Sequence, residues 1–93
     1  MKKIAEFEKR VVSDEIILVP VGKTAEGFHG LITMSEVGAF IWDHLEEVQS
    51  IEELLKLILE NYETDQQTAV KDTIEFLNQL LRVGIIRPTD KNW

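Results

Sequence analysis

Residues 30–47 read GLITMSEVGAFIWDHLEE, and the chain changes its period inside this stretch. Gly30 to Met34 is a short apolar run. Within two residues it gives way to apolar positions at helical spacing, with Ser35 and Glu36 at the boundary. A strand that leads directly into a helix sets the two elements side by side. The helix also holds Gly38 and the consecutive Phe40, Ile41 and Trp42, more than a helix needs only to cover a core. The glycine lets this helix lie close to a neighbour, and the three large side chains fill space on several of its sides.

Upstream, β-branched residues cluster at Val11, Val12, Ile16, Ile17, Val19 and Val21. Glycines and short polar breaks separate them, which is a strand signature. Three strands are expected: Phe7 to Val12, Glu15 to Val21 and Phe28 to Met34. Ser13-Asp14 turns the first into the second as an antiparallel hairpin. Pro20 sits near the end of the second strand, where a missing N–H is tolerated. GKTAEG, residues 22–27, reads as a flexible loop.

Downstream, leucine and glutamate recur at helical spacing, and three helices are expected. The first starts near Thr33 or Ser35, where Thr33 and Glu36 have capping-box spacing, and runs to about Glu46. The second starts at Ser50, with Glu53 three residues on, and puts Ile51, Leu54, Leu55, Ile58 and Tyr62 on one face. The third starts at Thr64 or Asp65 and runs to Val83, where Gly84 stops it in a left-handed turn. IIRP then follows as a short extended tail. The third helix carries two apolar stripes: Val70, Ile74, Leu77 and Leu81, and Ala69, Thr73, Phe76, Leu80 and Val83. Together they exceed the sector a surface helix needs to cover one core. The fold class that results is α+β, a winged helix-turn-helix with an N-terminal three-stranded antiparallel sheet followed by three helices.

Composition excludes several functions. With 93 residues the chain is one domain by length. It has no cysteine, which removes disulfides and thiolate metal sites. Seventeen acidic against ten basic residues give a net charge of −7, which repels phosphate backbones, so nucleic acid is not an expected partner. The longest apolar run, Ile16 to Val21, is too short to span a bilayer, and the N-terminus lacks a signal-peptide core. A cytoplasmic protein without membrane attachment is expected.

No catalytic set emerges. His29 reads as exposed, and His44 shares a helical face with Val37, Phe40 and Ile41, as a packed or boundary residue does. No metal-ligand spacing joins the two histidines. Ser35 and Ser50 are cap candidates, and no nucleophile elbow surrounds any serine. The Gly22-Lys23-Thr24 triplet lacks the preceding glycine and following helix of a phosphate loop. Neither a cofactor nor a metal is expected, and the chain does not read as an enzyme. Binding remains. The strand FHGLITM alternates Phe28, Gly30, Ile32 and Met34 on one side with His29, Leu31 and Thr33 on the other. If it is an edge strand, an extended peptide can add to it and fill the furrow beside a helix.

The ordered set Ser35, Gly38, Ile41-Trp42, Leu45, Leu54, Tyr62, Phe76-Leu77, Leu80, Gly84 and Ile85-Ile86 resembles the PqqD family, over about residues 7 to 88. These small proteins are named for pyrroloquinoline-quinone synthesis protein D. The resemblance implies a single recognition domain over residues 1–93 that binds the leader of a ribosomally made precursor peptide without catalysis. Such domains present the peptide to a modifying enzyme, often a radical S-adenosylmethionine protein. It further implies that the leader lies as an added strand between Leu31, Ile32, Thr33 and Met34 on one side and Thr73, Phe76, Leu80 and Val83 on the other. Many relatives have an Asp-Gly turn after the first helix where this chain has Glu46-Glu47, and the strand region also departs from the quinone-pathway members; both favour a standalone member serving a peptide other than the quinone precursor.

Two other readings compete. A winged helix allows a DNA-binding regulator, although the third helix offers only Lys71 and Arg82 against Asp72 and Glu75. A structural or regulatory subunit that docks through its apolar helix face is the other. An exposed strand edge also permits a homodimer by strand exchange.

Overall fold

The computed structural model describes residues 1–89 and 93. Its strands are β1 (Lys2–Lys3), β2 (Phe7–Val12), β3 (Glu15–Pro20), β4 (Ile32–Met34) and β5 (Ile86–Arg87). Its helices are α1 (Thr24–Gly27), α2 (Glu36–His44), α3 (Ile51–Asn61) and α4 (Gln66–Val83). The expected α+β winged helix-turn-helix architecture is present: an antiparallel sheet in the order β2-β3-β4, then the three long helices.

Three features depart from the sequence expectation. GKTAEG is not a flexible loop, because residues 24–27 close one helical turn, and the Thr24 hydroxyl accepts the Glu6 N–H at 2.9 Å. The third strand does not begin at Phe28; ladder pairing is confined to residues 32–34. The C-terminal piece is extended as expected, but it is paired. Ile86 and Arg87 pair antiparallel with Lys3 and Lys2 in a second, two-stranded sheet. Strands this short carry no local signal, because each exists only through a partner more than eighty positions away in the chain.

Local chemistry sets the helix ends. Ser35, not Thr33, caps α2, its hydroxyl accepting the Gly38 N–H at 3.0 Å. Thr33 lies in β4 instead. Ser50 caps α3 by accepting the Glu53 N–H, and the Glu53 carboxylate reaches back to the Gln49 N–H. The return bond thus falls one residue earlier than in the standard capping box. Asp65 caps α4 through the Thr68 N–H at 2.7 Å. Gly84 ends α4 at φ 78°, its N–H reaching the Leu80 and Leu81 carbonyls while the Ile85 N–H also reaches Leu80. The Gly84-to-Leu81 and Ile85-to-Leu80 bonds make a Schellman motif, which needs the left-handed residue that glycine supplies without strain.

The core lies between the inner sheet face and the helices. Leu18, Ile41, Leu45, Leu54, Ile58, Leu80 and Ile85 are completely buried there, joined by Ile32 and Met34 from β4. The N-terminus is fastened over α2. The Lys3 ammonium lies 4.2 Å from the centre of the Trp42 ring, and the Lys3 N–H donates to Glu46. Burial lowers the Lys3 pKa, while Glu46, Asp43 and Glu47 act the other way. Among the described residues no helix is long and apolar enough to cross a membrane.

Candidate peptide-binding site

The register of the sheet decides which backbone groups are free. Ser13 and Asp14 both have positive φ, 48° and 68°, so they form a two-residue type I′ turn. Val12 and Glu15 are then a hydrogen-bonded pair, and hydrogen-bonded and open pairs alternate from there. The bond from the Val21 N–H to the Glu6 carbonyl at 3.0 Å keeps that alternation. Pro20 falls opposite Phe7 in an open pair, where β2 asks nothing of its missing N–H. On the other side of β3, Ile16 and Leu18 therefore exchange bonds with Met34 and Ile32. Thr33, opposite Ile17, points its N–H and C=O away from β3. Since β4 ends the sheet, these groups face outward.

Beside that edge runs α4. An open cavity of about 360 Å³ separates the two, with Thr33, Met34 and Ser35 on one wall and Asp72, Glu75, Phe76 and Gln79 on the other. Phe76 is half-buried. Its ring packs so near Gly38 that a Cβ built there would lie 3.4 Å from the ring edge. Gly38 thus brings the start of α2 against α4 and holds Phe76 at the cavity, which accounts for a glycine within a helix.

The eight residues that the family resemblance implied for the groove divide into two groups. Leu31 is 56% exposed, Val83 is 43% exposed, and Thr33 is exposed. With half-buried Phe76, these can meet a guest directly. Ile32, Met34, Thr73 and Leu80 are buried, so their side chains belong to the protein's own core, although Met34 also reaches the cavity wall. Val83 lies beyond the cavity, in the column of α4 that holds Asp72, Phe76 and Gln79 at turn spacing. The Thr73 hydroxyl is buried without a hydrogen-bond partner among the described residues.

Ser35, Asp72, Glu75 and Gln79 line the cavity, and none of them is among the eight groove residues implied by the sequence. Attention to apolar stripes hides them. For Asp72 and Gln79 the available signal was their position four and three residues from Phe76, on the same helical face. His44, by contrast, lies away from this site in an aromatic group. Its ring stands 4.4 Å from Phe40, Phe40 stands 5.3 Å from Tyr62, and its Nδ1 is 2.8 Å from the Glu47 carboxylate. It packs as a boundary residue.

A solved protein structure shares this fold. The solved structure described as TbiB1 in complex with the TbiA(beta) leader peptide superposes with a TM-score of 0.68 over 98% of this chain and 100% of that one, at 24% sequence identity. At that identity the likeness establishes the fold. No curated protein matches the sequence. Residues 15–86, from the second wing strand to the last β-residue pair, match the family model described as coenzyme PQQ synthesis protein D, and the chain belongs to this PqqD family.

Proposed function

We propose that this protein is a non-catalytic recognition domain, one unit over residues 1–93, that binds the leader segment of a precursor peptide as an added strand. The observation that carries the reading is the outward-facing backbone of Thr33 next to the open cavity between β4 and α4. Strand addition needs an unpaired edge for main-chain bonds and a neighbouring furrow for alternate side chains. Both are present at one place. Family membership and the fold shared with a protein solved with a leader peptide support the same conclusion.

The energetics suit a reversible carrier. Two to four main-chain hydrogen bonds contribute about 0.5–1.5 kcal/mol each. One or two apolar side chains buried over Leu31, Phe76 and Val83 add about 1.5–3 kcal/mol each. Ordering an extended peptide and losing its free motion oppose this by several kcal/mol. Gains and costs are of similar size, so binding is reversible, which lets the leader be held and then released. The bound leader is then presented to a modifying enzyme, for which a radical S-adenosylmethionine protein is the first candidate. The acidic surface and the opposed charges on α4 do not favour nucleic acid.

Hydrogen exchange on the intact protein with its cognate precursor tests the reading. Slowed exchange at residues 30–34, with β2 unchanged, is expected. Binding without added protection at those residues would place the peptide elsewhere.

A further inference from the structure

The cavity beside β4 has a mostly polar lining, in which Met34 and Phe76 are the apolar residues and Asp72 and Glu75 the acidic ones. Phe76 offers a half-exposed ring, and Asp72 and Glu75, one turn apart on α4, bring two carboxylates to the same opening. Neither carboxylate has an ion-pair partner among the described residues. The ion pairs found there are Lys9–Asp43, Arg10–Glu8 and His44–Glu47, and α4's own Lys71 and Arg82 join none of them. Two unpaired acids next to an aromatic face suit one kind of side chain. A guanidinium or ammonium can lie over the ring and hydrogen-bond a carboxylate at its edge.

One effect opposes this choice. The N-terminus of α2 opens on the same cavity at Ser35, and a helix N-terminus favours anions. That end is already satisfied: the Ser35 hydroxyl takes the Gly38 N–H, and Glu36 sits in the first turn. The two α4 carboxylates therefore decide the sign of the site.

We infer that the groove selects leader peptides carrying an arginine or lysine at the position that points into the cavity between Thr33 and Phe76, where Asp72 and Glu75 receive the charge. This rests on the strand-addition reading and names the class of leader it takes. Arginine is the better fit, since its planar group can stack on Phe76 and bond a carboxylate in two places.

The test uses a displayed library of random twelve-residue peptides selected on the intact protein, followed by titration of the enriched sequences. Enrichment of arginine or lysine at one fixed position is expected. Replacing that residue by glutamine should weaken binding about tenfold, with most of the difference lost at high salt. On Asp72→Asn/Glu75→Gln, the same replacement should change affinity less than twofold. Both positions are exposed, so the fold is retained. Peptides that protect residues 31–34 from exchange yet show no basic preference, or a preference the double variant keeps, overturn the inference and leave strand addition standing. Selected peptides that fail to protect residues 31–34 overturn both.

Discussion

The sheet has two edges, and they are built differently. β2 is six residues long, almost wholly exposed, and carries Glu8, Lys9 and Arg10 in a row. β4 is three residues long, alternates buried and exposed positions, and lies against a cavity. A long free edge invites pairing with other chains, and charges along it discourage that. On β2 the charges are also fixed in place: Lys9 reaches across to Asp43 on α2, and Arg10 pairs with Glu8. β4 has no charged residue of its own. An edge that must avoid partners and an edge that must accept one thus coexist in a single small sheet. Length, charge and the neighbouring helix separate them.

The largest expected effect concerns the support shared by both edges. Ile58 of α3 is fully buried in the core. Ile58→Asp places an unpaired charge there, at a cost comparable to the total stability of a small domain. Loss of the cooperative thermal transition by circular dichroism is expected. A retained transition near the parent midpoint would show that the helices do not depend on this core.

Next in size is a pair of proline substitutions. Thr33→Pro removes an N–H that faces outward from β4, and Val11→Pro does the same on β2. Edge strands tolerate proline at such positions, so both variants should fold. Only Thr33→Pro should abolish peptide binding in a titration. Equal losses in both would mean that the two edges are not distinguished.

Leu31→Asp sharpens the contrast through a side chain. Leu31 is mostly exposed, so its loss should move the thermal midpoint little while lowering affinity at least tenfold, about 1.4 kcal/mol. Phe76→Asp is the less clean variant, because the Phe76 ring also packs on Gly38 and the substitution costs stability as well. A Leu31→Asp protein that melts far below the parent would place Leu31 in the structural core.

A smaller effect belongs to the tip of the hairpin. Asp14 adopts φ 68°, a conformation that glycine takes without strain. Asp14→Gly should raise stability by up to about 1 kcal/mol in urea unfolding and leave peptide affinity unchanged. A change in affinity would implicate the wing tip in binding.

The smallest effect is a pH dependence. The Asp65 carboxyl is held below its ordinary value of 3.8, first by the backbone hydrogen bond from Thr68. A depressed folded value means that the cap stabilises α4 fully above the unfolded pKa and loses that contribution as pH falls through the lower folded value. Asp65→Asn keeps a capping side chain and should flatten this part of the acid-unfolding profile, read by helix content below pH 4. Binding at neutral pH should not change.

Much of the helical half was legible because its information is local. Ser50 and Asp65 begin helices and Gly84 ends one through bonds to residues within five positions, and a one-dimensional reading finds such bonds. The β2–β3 hairpin was legible for the same reason, its turn being two residues long. Pairing between β1 and β5 was not legible, since two-residue strands have no period of their own. Nor was the length of β4, because pairing there depends on how far β3 runs beside it. The groove divides in the same way. Phe76 and Leu31 stand out as large apolar residues, whereas Asp72 and Glu75 look like any solvated charges on a helix.

The sequence by itself determined the helices, the hairpin and the apolar inventory, since turn chemistry, caps and periodicity act over a few residues. Tertiary structure alone decided which backbone groups of the sheet are left open and which charges of α4 stand opposite them. Those depend on strand order and on the close approach of α2 at Gly38, and no local interaction fixes either.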